Sequence, residues 1–291
     1  MSLLHKQRVF KAFYYASRWR LKQLLGLPEK PNLHVVQSGV ATALERHRRI
    51  CLTLLPYFQA IPELRGGVVA EIGSGDCLAA ADMLIGMGAR HVHLLDQRPI
   101  VVSPNHRAVV NALAADANLP NSGTILAEGE PPKLNPQVAT PHTGLFESIG
   151  LPEPANLVYS FDVLEHVEDL YGFFQRCREI SKPGTVHVHK FDLSGHEFFE
   201  DPIPPLDFQT YPDWLFNLIF PKYRRAAGHF ADEIFAALKS NGCVIDQVVP
   251  LRTAEKDYLR EIKSSLRSKA RQRDNKTLAL LDVVVVARQT S

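Results

Sequence analysis

The sequence lacks the features of several protein classes. Its apolar runs are strand-sized, such as 283–287, and are far shorter than the roughly 18 residues that cross a bilayer. Only four of 291 residues are cysteines, and they are isolated in sequence, whereas zinc and thioredoxin-like sites use paired cysteines. So few cysteines also argue against a secreted disulfide framework in a chain of this length. We therefore expect reduced cysteines in a cytoplasmic protein that is soluble or attached to a surface.

Acidic residues are absent before Glu29, and this makes the charge distribution uneven. The net charge is only +2, but seven basic residues face one acid in 1–30 and seven face two acids in 260–276. The rest of the chain is therefore acidic, which disfavours a nucleic-acid groove through the core. The two basic segments fit edge contacts with an anionic surface or solvated helix faces, and the pattern does not choose between them.

The N-terminus has no secretory layout, because its basic and apolar residues are interleaved; an organelle transit peptide stays open. Its hydrophobic residues recur at helical spacing, which predicts a basic amphipathic helix. Such a helix fits peripheral membrane contact through residues 1–27, or a lid packed on the main domain. We place an N-terminal helical extension at 1–62 and the main domain at 63–291.

A strand at 68–72, a glycine turn, a helix at 78–87 and a strand at 91–96 form a βαβ unit, which implies a parallel sheet. The alternation continues beyond it. It predicts strands at 124–126, 157–160, 185–191, 243–249 and 281–286, helices at 104–115, 168–180 and 231–239, and a proline-rich loop at 129–155. This pattern is typical of an α/β fold with a doubly wound, seven-stranded, mostly parallel sheet.

Gly73 and Gly75 follow the first strand, at the edge where such sheets bind ligands. The third glycine of a dinucleotide fingerprint is missing, because Leu78 stands there, which argues against an NAD-dependent oxidoreductase. Asp96 closes the second strand 21 positions after Gly75, where a carboxylate can accept hydrogen bonds from a ribose.

Four motifs together resemble the class I S-adenosylmethionine-dependent methyltransferases. They are Glu71-x-Gly73-x-Gly75, Asp96, the stretch 160–167 (SFDVLEHV) and the turn 182–184 (KPG). The resemblance spans about 66–250 with a final strand at 281–288. It implies the Rossmann-like methyltransferase fold and S-adenosyl-L-methionine as cofactor.

The resemblance also implies roles for particular residues. Glu71 would face the methionine amino group, Gly73 and Gly75 would line the ligand, and Asp96 with Gln97 would hold the ribose and adenosine. Glu128 would serve as the adenine-binding acid after the third strand. The end of the fourth strand would add cofactor contacts from Ser160, Phe161 and Asp162.

The fifth strand ends in residues that fit proton transfer. A sulfonium donor is already activated, so alignment and a deprotonated acceptor are the main needs, and a hydroxyl acceptor also needs a base. His189, Asp192 and His196 are our catalytic candidates, with a histidine as base and the aspartate fixing its tautomer. Alternatively, His187 and His189 pack on one strand face and His196 orders the loop. We expect no metal, because H-x-x-D-x-x-x-H on a strand end has no helical register to converge its ligands.

An insertion at 196–230 carries nine aromatic residues. It fits a substrate roof or a satellite hydrophobic cluster, and the sequence leaves both open. Its pattern resembles, more loosely, methyltransferases encoded with polysaccharide and natural-product pathways, with Arg224, Arg225 and His229 before a helix.

We therefore predict a methyltransferase that O-methylates a small molecule of the sugar or natural-product type. No nucleic-acid partner is expected, because no Asn/Asp-Pro-Pro-aromatic motif follows the fourth strand. The alternative is a catalytically silent methyltransferase-like adaptor, attached to a membrane or complex through its basic ends.

Overall fold

A computed structural model describes residues 34–120, 124–195, 204–219 and 228–290, together with six further positions among residues 10–25. Seven strands form one sheet in this part of the chain. They are β1 Val68–Ile72, β2 His91–Asp96, β3 Ala139–Thr143, β4 Ala155–Phe161, β5 Ser181–Asp192, β6 Cys243–Thr253 and β7 Leu280–Gln289.

The strands lie in the order β3-β2-β1-β4-β5-β7-β6. β7 runs antiparallel to both of its neighbours, and the other neighbouring pairs are parallel. The chain order reverses between β1 and β4, so a crevice opens at their carboxyl ends, where sheets of this kind bind ligands. The predicted fold class is confirmed.

Helices cover both faces of the sheet. Those of seven residues or more are α1 His34–Gln59, α2 Ala79–Gly86, α3 Pro104–Ala114, α4 Leu170–Glu179, α5 Asp213–Ile219, α6 Ala231–Ser240 and α7 Lys256–Ile262; two short helices follow, α8 Ser268–Arg271 and α9 Asn275–Ala279. α1, α2 and α3 share one hydrophobic core with the sheet, and α4 and α6 share another on the opposite face.

The predicted third strand at 124–126 is wrong. These residues make only an isolated bridge from Leu126 to Leu134, and the third strand lies at 139–143, inside the predicted loop. Ile125 and Leu126 are buried, and the Ile125 N–H donates to Asp82 on α2, so their apolar character reflects packing on that helix. Pro141 fits β3 because β3 is an edge strand, where a missing backbone donor is tolerated.

Helix α1 belongs to the main core, although we predicted residues 1–62 as an extension. Gly39, with φ +77°, interrupts its helical geometry. Beyond that break, Leu54 and Phe58 are fully buried, and the Phe58 ring meets the Tyr159 ring of β4 edge-on at a centroid distance of 5.1 Å. This helix therefore packs on one face of the sheet, against β4, together with α2 and α3. Most of residues 1–33 lie outside the described part of the chain.

The described aromatic residues of the insertion, apart from the exposed Trp214, form a satellite core. Phe208, Tyr211 and Phe216 are buried together with residues of α7, α8 and α9, and Phe230 joins them. The Arg267 guanidinium lies 3.3 Å from the centre of the Phe216 ring. Of the two interpretations of the insertion, the satellite cluster therefore describes these residues.

The second basic segment is engaged within the chain. Arg267, Lys269 and Arg273 form ion pairs with carboxylates of α5 and α6. These contacts use part of the positive charge of 260–276 to hold this segment against α5 and α6.

All four cysteines are free. No helix in the described ranges combines the length and apolar character that spanning a membrane requires.

We predict that Phe58→Ala lowers the free energy of unfolding by about 3–5 kcal/mol, because it empties a fully buried aromatic site between α1 and the sheet. Chemical denaturation of the full chain measures this loss, with the exposed Tyr171→Ala as the control. A loss below about 1 kcal/mol would contradict the docking of α1.

Candidate functional site

The glycine bend after β1 is held by its neighbours at four points. The Gly73 N–H donates to the Leu95 carbonyl of β2, and the Gly75 N–H donates to Asp96. The Ser74 hydroxyl donates to the Glu71 carbonyl, and the His106 ring on α3 bonds the Asp76 carbonyl at 3.0 Å. Both glycines have positive φ, +74° and +56°, which L side chains rarely adopt. The bend is therefore fixed in shape before any ligand arrives.

Asp96 faces this bend. Its Oδ2 accepts from the Gly75 N–H at 2.8 Å, and its Oδ1 accepts from the Arg98 N–H at 2.8 Å. A carboxylate offers about four lone-pair positions, so these two bonds leave one position free on each oxygen. The residue is only partly buried, and the adjacent Gln97 is exposed. Asp96 can thus accept two more hydrogen bonds from a ligand at the strand ends.

Glu71 is buried one strand away from Asp96. It pairs in register with Tyr159 of β4, and the Phe58 ring packs on the Tyr159 ring. Desolvation raises its pKa to about 8, and the charge of Asp96 adds to this shift. Its Oε2 is buried without a hydrogen-bond partner among the described residues, and the nearby Tyr159 hydroxyl opposes the shift. A carboxyl group protonated at neutral pH, with an orphaned oxygen beside an open bend, fits a cationic or hydrogen-bonding ligand group.

Gly73 has a second reason to be glycine. A Cβ there would lie 2.4 Å from Cγ2 of Val163, which follows β4. The loop after β4 therefore packs directly on the bend after β1. The Val163 side chain occupies the position that a Cβ of residue 73 would take. The residue itself remains exposed on its other side, so ligand lining by Gly73 stays a prediction.

An ion triad joins the ends of three strands. Lys190 of β5 is buried, and its ammonium contacts Asp162 after β4 and Asp282 of β7. Burial lowers the pKa of Lys190, but the two carboxylates outweigh it and the net shift is upward. Asp162 has φ +55°, an uncommon conformation for a residue other than glycine, and its N–H donates to the Lys190 carbonyl. The Lys190 ammonium also lies 4.8 Å from the centre of the Phe161 ring.

Two further carboxyl groups lie at this edge. Glu165 is buried, its Oε2 lacks a partner, and desolvation followed by the charge of Asp162 raises its pKa well above the usual range. Asp192 is partly exposed, and both of its oxygens accept from Arg252. Its Oδ1 also accepts from the N–H and hydroxyl of Ser194. To accept a proton, Asp192 would have to give up one of these hydrogen bonds.

The proposed catalytic role of His189 is contradicted. Its ring is fully buried on the α4 face, packed edge-on against Phe173 and Phe174, and burial lowers its pKa well below the usual range. The hydroxyl of Ser160 bonds its Nδ1 at 2.8 Å, so the Ser160 side chain also points away from the bend, and the predicted cofactor contact of Ser160 would have to come from its backbone. Side chains alternate along a strand, which sends these two to the opposite face from Glu71 and Tyr159.

Other predicted residues have mixed outcomes. His196, Arg224 and Arg225 lie outside the described residues, so the role of His196 stays a prediction. Glu128 is exposed on the segment before β3, and without a strand at 124–126 the argument that placed it at a strand end is lost. His229 bonds the Val167 carbonyl at 2.6 Å and ties the end of the insertion to the loop after β4.

Sequence reasoning missed Lys190, Asp282 and Arg252. A lysine inside the alternating apolar strand VHVHKF was the available signal, because buried lysines are nearly always paired. Asp282 and Arg252 had no comparable signal, since the antiparallel placement of β7 between β5 and β6 is what brings them to this edge.

We predict that Gly73→Ala lowers the free energy of unfolding by about 2–4 kcal/mol, from backbone strain and from the overlap with Val163. In a Val163→Ala background the overlap disappears, and only the strain of about 1–2 kcal/mol remains. Denaturation of the single and double variants measures the coupling. Strictly additive costs would show that the two residues are not in contact.

No protein-family model and no curated protein matches the sequence. Among solved structures, an S-adenosylmethionine-dependent methyltransferase from Mesorhizobium loti is 17% identical, with a TM-score of 0.45, over 81% of this chain and 97% of that one. Geranyl diphosphate methyltransferase, solved with GPP and sinefungin, is 13% identical, with a TM-score of 0.46, over 80% and 75%. The cyclase SpnF is 12% identical, with a TM-score of 0.41, over 81% and 80%.

At these identities the likeness does not extend to a substrate. The strand order and the antiparallel β7 give this chain the Rossmann-like fold of the class I S-adenosylmethionine-dependent methyltransferases.

Proposed function

We propose that the chain is a methyltransferase that binds S-adenosyl-L-methionine across the carboxyl ends of β1 and β2. The observation that carries the proposal is the contact between Asp96 of β2 and the Gly75 N–H after β1, next to the topological switch point between β1 and β4. It presents a carboxylate with two free acceptor positions to a ribose diol, beside a backbone that a ligand can approach closely.

A second group of this site fits the other end of the cofactor. Its methionine part carries an α-amino group, and the orphaned Oε2 of buried Glu71 offers an acceptor at the strand next to Asp96. When bound, the cofactor supplies an electrophilic methyl group on a sulfonium. The protein then has to hold the acceptor in line with that methyl group and keep water away.

The acceptor side is the edge formed by β4, β5 and β7. Lys190 fixes Asp162 and Asp282 there, and Glu165 and Asp192 add two more carboxyl groups. We propose a small hydroxyl-bearing acceptor, because polar acid groups at this edge can bind hydroxyls and a hydroxyl needs a proton acceptor. His196 stays our predicted base. Among the described residues, Asp192 contacts Arg252 and Ser194 and does not contact a histidine.

The test is a methyl-transfer experiment with the full chain. Purified protein is incubated with a metabolite extract and S-adenosylmethionine carrying a labelled methyl group, and mass spectrometry identifies products that gain the label. A labelled small molecule with a new methoxy group supports both levels of the proposal. A labelled protein or nucleic acid would support methyl transfer and overturn the acceptor class. Cofactor binding without any labelled product would favour the silent adaptor.

We predict that Asp96→Ala weakens S-adenosylmethionine binding at least 10-fold, because charge-assisted hydrogen bonds of the kind lost are worth about 1.5–3 kcal/mol each. Isothermal calorimetry measures the affinity, and thermal unfolding shows whether the bend survives the loss of the Gly75 contact. Asp246→Ala on β6 is the matched control, since that acid lies on the far strand of the sheet. Equal affinity in Asp96→Ala and the wild type would overturn the proposed site.

We predict that cofactor binding at pH 7 releases a proton from Glu71. Its pKa of about 8 keeps the carboxyl group protonated in the free protein, and a nearby α-ammonium favours the carboxylate. Affinity should therefore rise with pH as pH approaches 8. Calorimetry in buffers of different ionisation enthalpy counts the protons. Glu71→Gln should abolish the release, and a release that persists in this variant would come from another group.

A further inference from the structure

Three metal-ligating side chains meet on the face of the sheet away from the glycine bend. His187 and His189 are two residues apart on β5, so both rings point to the same face, towards α4. Cys177 lies in the last turn of α4. One ring nitrogen of each histidine and the Cys177 sulfur all lie within 4.8 Å of one another, and all three residues are buried.

The hydrogen bonds of the two imidazoles are incomplete. His189 Nδ1 pairs with the Ser160 hydroxyl at 2.8 Å, and His187 Nε2 lies 3.4 Å from the Ser181 hydroxyl. The remaining nitrogens, His187 Nδ1 and His189 Nε2, are buried without a partner. A buried polar nitrogen left unpaired costs about 1–3 kcal/mol, so two of them in one cluster need an explanation.

The hydrogen bonds that the two imidazoles do make resemble those of metal-bound histidines. A histidine that binds a metal through one nitrogen commonly holds a hydrogen-bond partner on the other, which fixes its tautomer. Ser160 and Ser181 stand in that position here. Ser181 is itself fixed, because its hydroxyl donates to the Cys177 carbonyl at 2.6 Å.

We propose that Cys177, His187 and His189 form a buried binding site for a soft metal ion, Zn²⁺ or Cu⁺. Thiolate sulfur and imidazole nitrogen are the donors that these ions prefer. Binding through imidazole nitrogen and thiolate sulfur uses neutral histidines and releases the thiol proton of Cys177. The site is separate from the proposed cofactor site, and its role is to tie α4 to β5.

Charge distinguishes the two ions. One thiolate and two neutral imidazoles balance Cu⁺ completely, whereas Zn²⁺ leaves a net charge of +1 in an apolar core, where uncompensated charge is costly. Zn²⁺ also takes four ligands in nearly all structural sites, and the cluster found in the described residues has three. Zn²⁺ would therefore need a trapped water as its fourth ligand, while Cu⁺ needs none.

The test is refolding of the full chain with and without metal, because a site this buried has to fill before the core closes. Denatured protein is refolded with Zn²⁺, with Cu⁺ under reducing conditions, or with a chelator, and bound metal is counted by elemental mass spectrometry after dialysis. Refolding with Co²⁺ adds a spectroscopic readout, since a thiolate ligand gives a sulfur-to-cobalt charge-transfer band. The variants are Cys177→Ser and His187→Gln, with Cys51→Ser as the control for loss of a buried thiol elsewhere.

We expect one tightly held ion per wild-type and Cys51→Ser chain, none in Cys177→Ser or His187→Gln, and an unfolding midpoint about 5 °C higher with metal than with chelator. Stoichiometric Cu⁺ with little Zn²⁺ would identify the neutral three-ligand site, and the reverse would identify Zn²⁺ with water. If Cys177→Ser does not refold, His187→Gln decides the question. Equal metal in the wild type and His187→Gln, or none in the wild type, would overturn the proposal and leave buried water as the partner of the free nitrogens.

Discussion

The organisation of the candidate site depends on one hydrogen bond, from the Gly75 N–H to the side chain of Asp96. It locks a bend of left-handed glycines to the end of the neighbouring strand, and so fixes the distance between the backbone of β1 and the carboxylate of β2. The same arrangement brings the loop after β4 against Gly73 through Val163. Three strand ends are thus positioned by direct contacts with one another, and ligand alignment depends on such positioning.

Much of this arrangement could be predicted, because local patterns encode it. Apolar β-branched runs gave β1 and β2 to within a residue, and the position of Asp96 followed from where β2 ends. The third strand could not be found in the same way. Its sequence, ATPHT, has few apolar residues, because an edge strand buries little, and the more apolar 124–126 segment gains its burial from α2.

The histidines of β5 show the limit of reasoning from motifs. His189 was chosen because it lies near the end of the fifth strand, at the sheet edge where ligands bind, but the alternation of strand faces assigns it to the interior with His187. Its closest chemical partners, Ser160 and Cys177, come from β4 and α4, and nothing in the local sequence links them. The alternation of side chains along a strand decides which face of the sheet a residue lies on, but only the assembled sheet shows which residues it contacts there.

The location of β7 has a consequence for how the sheet assembles. This strand follows β6 along the chain, yet it lies between β5 and β6 and supplies Asp282 to the ammonium of Lys190. β5 and β6 therefore cannot pair with each other, and β6 joins the sheet only through β7. Until β7 enters, the sheet has no β6 and Lys190 lacks one of its two carboxylates, so pairing across a long stretch of chain completes this edge.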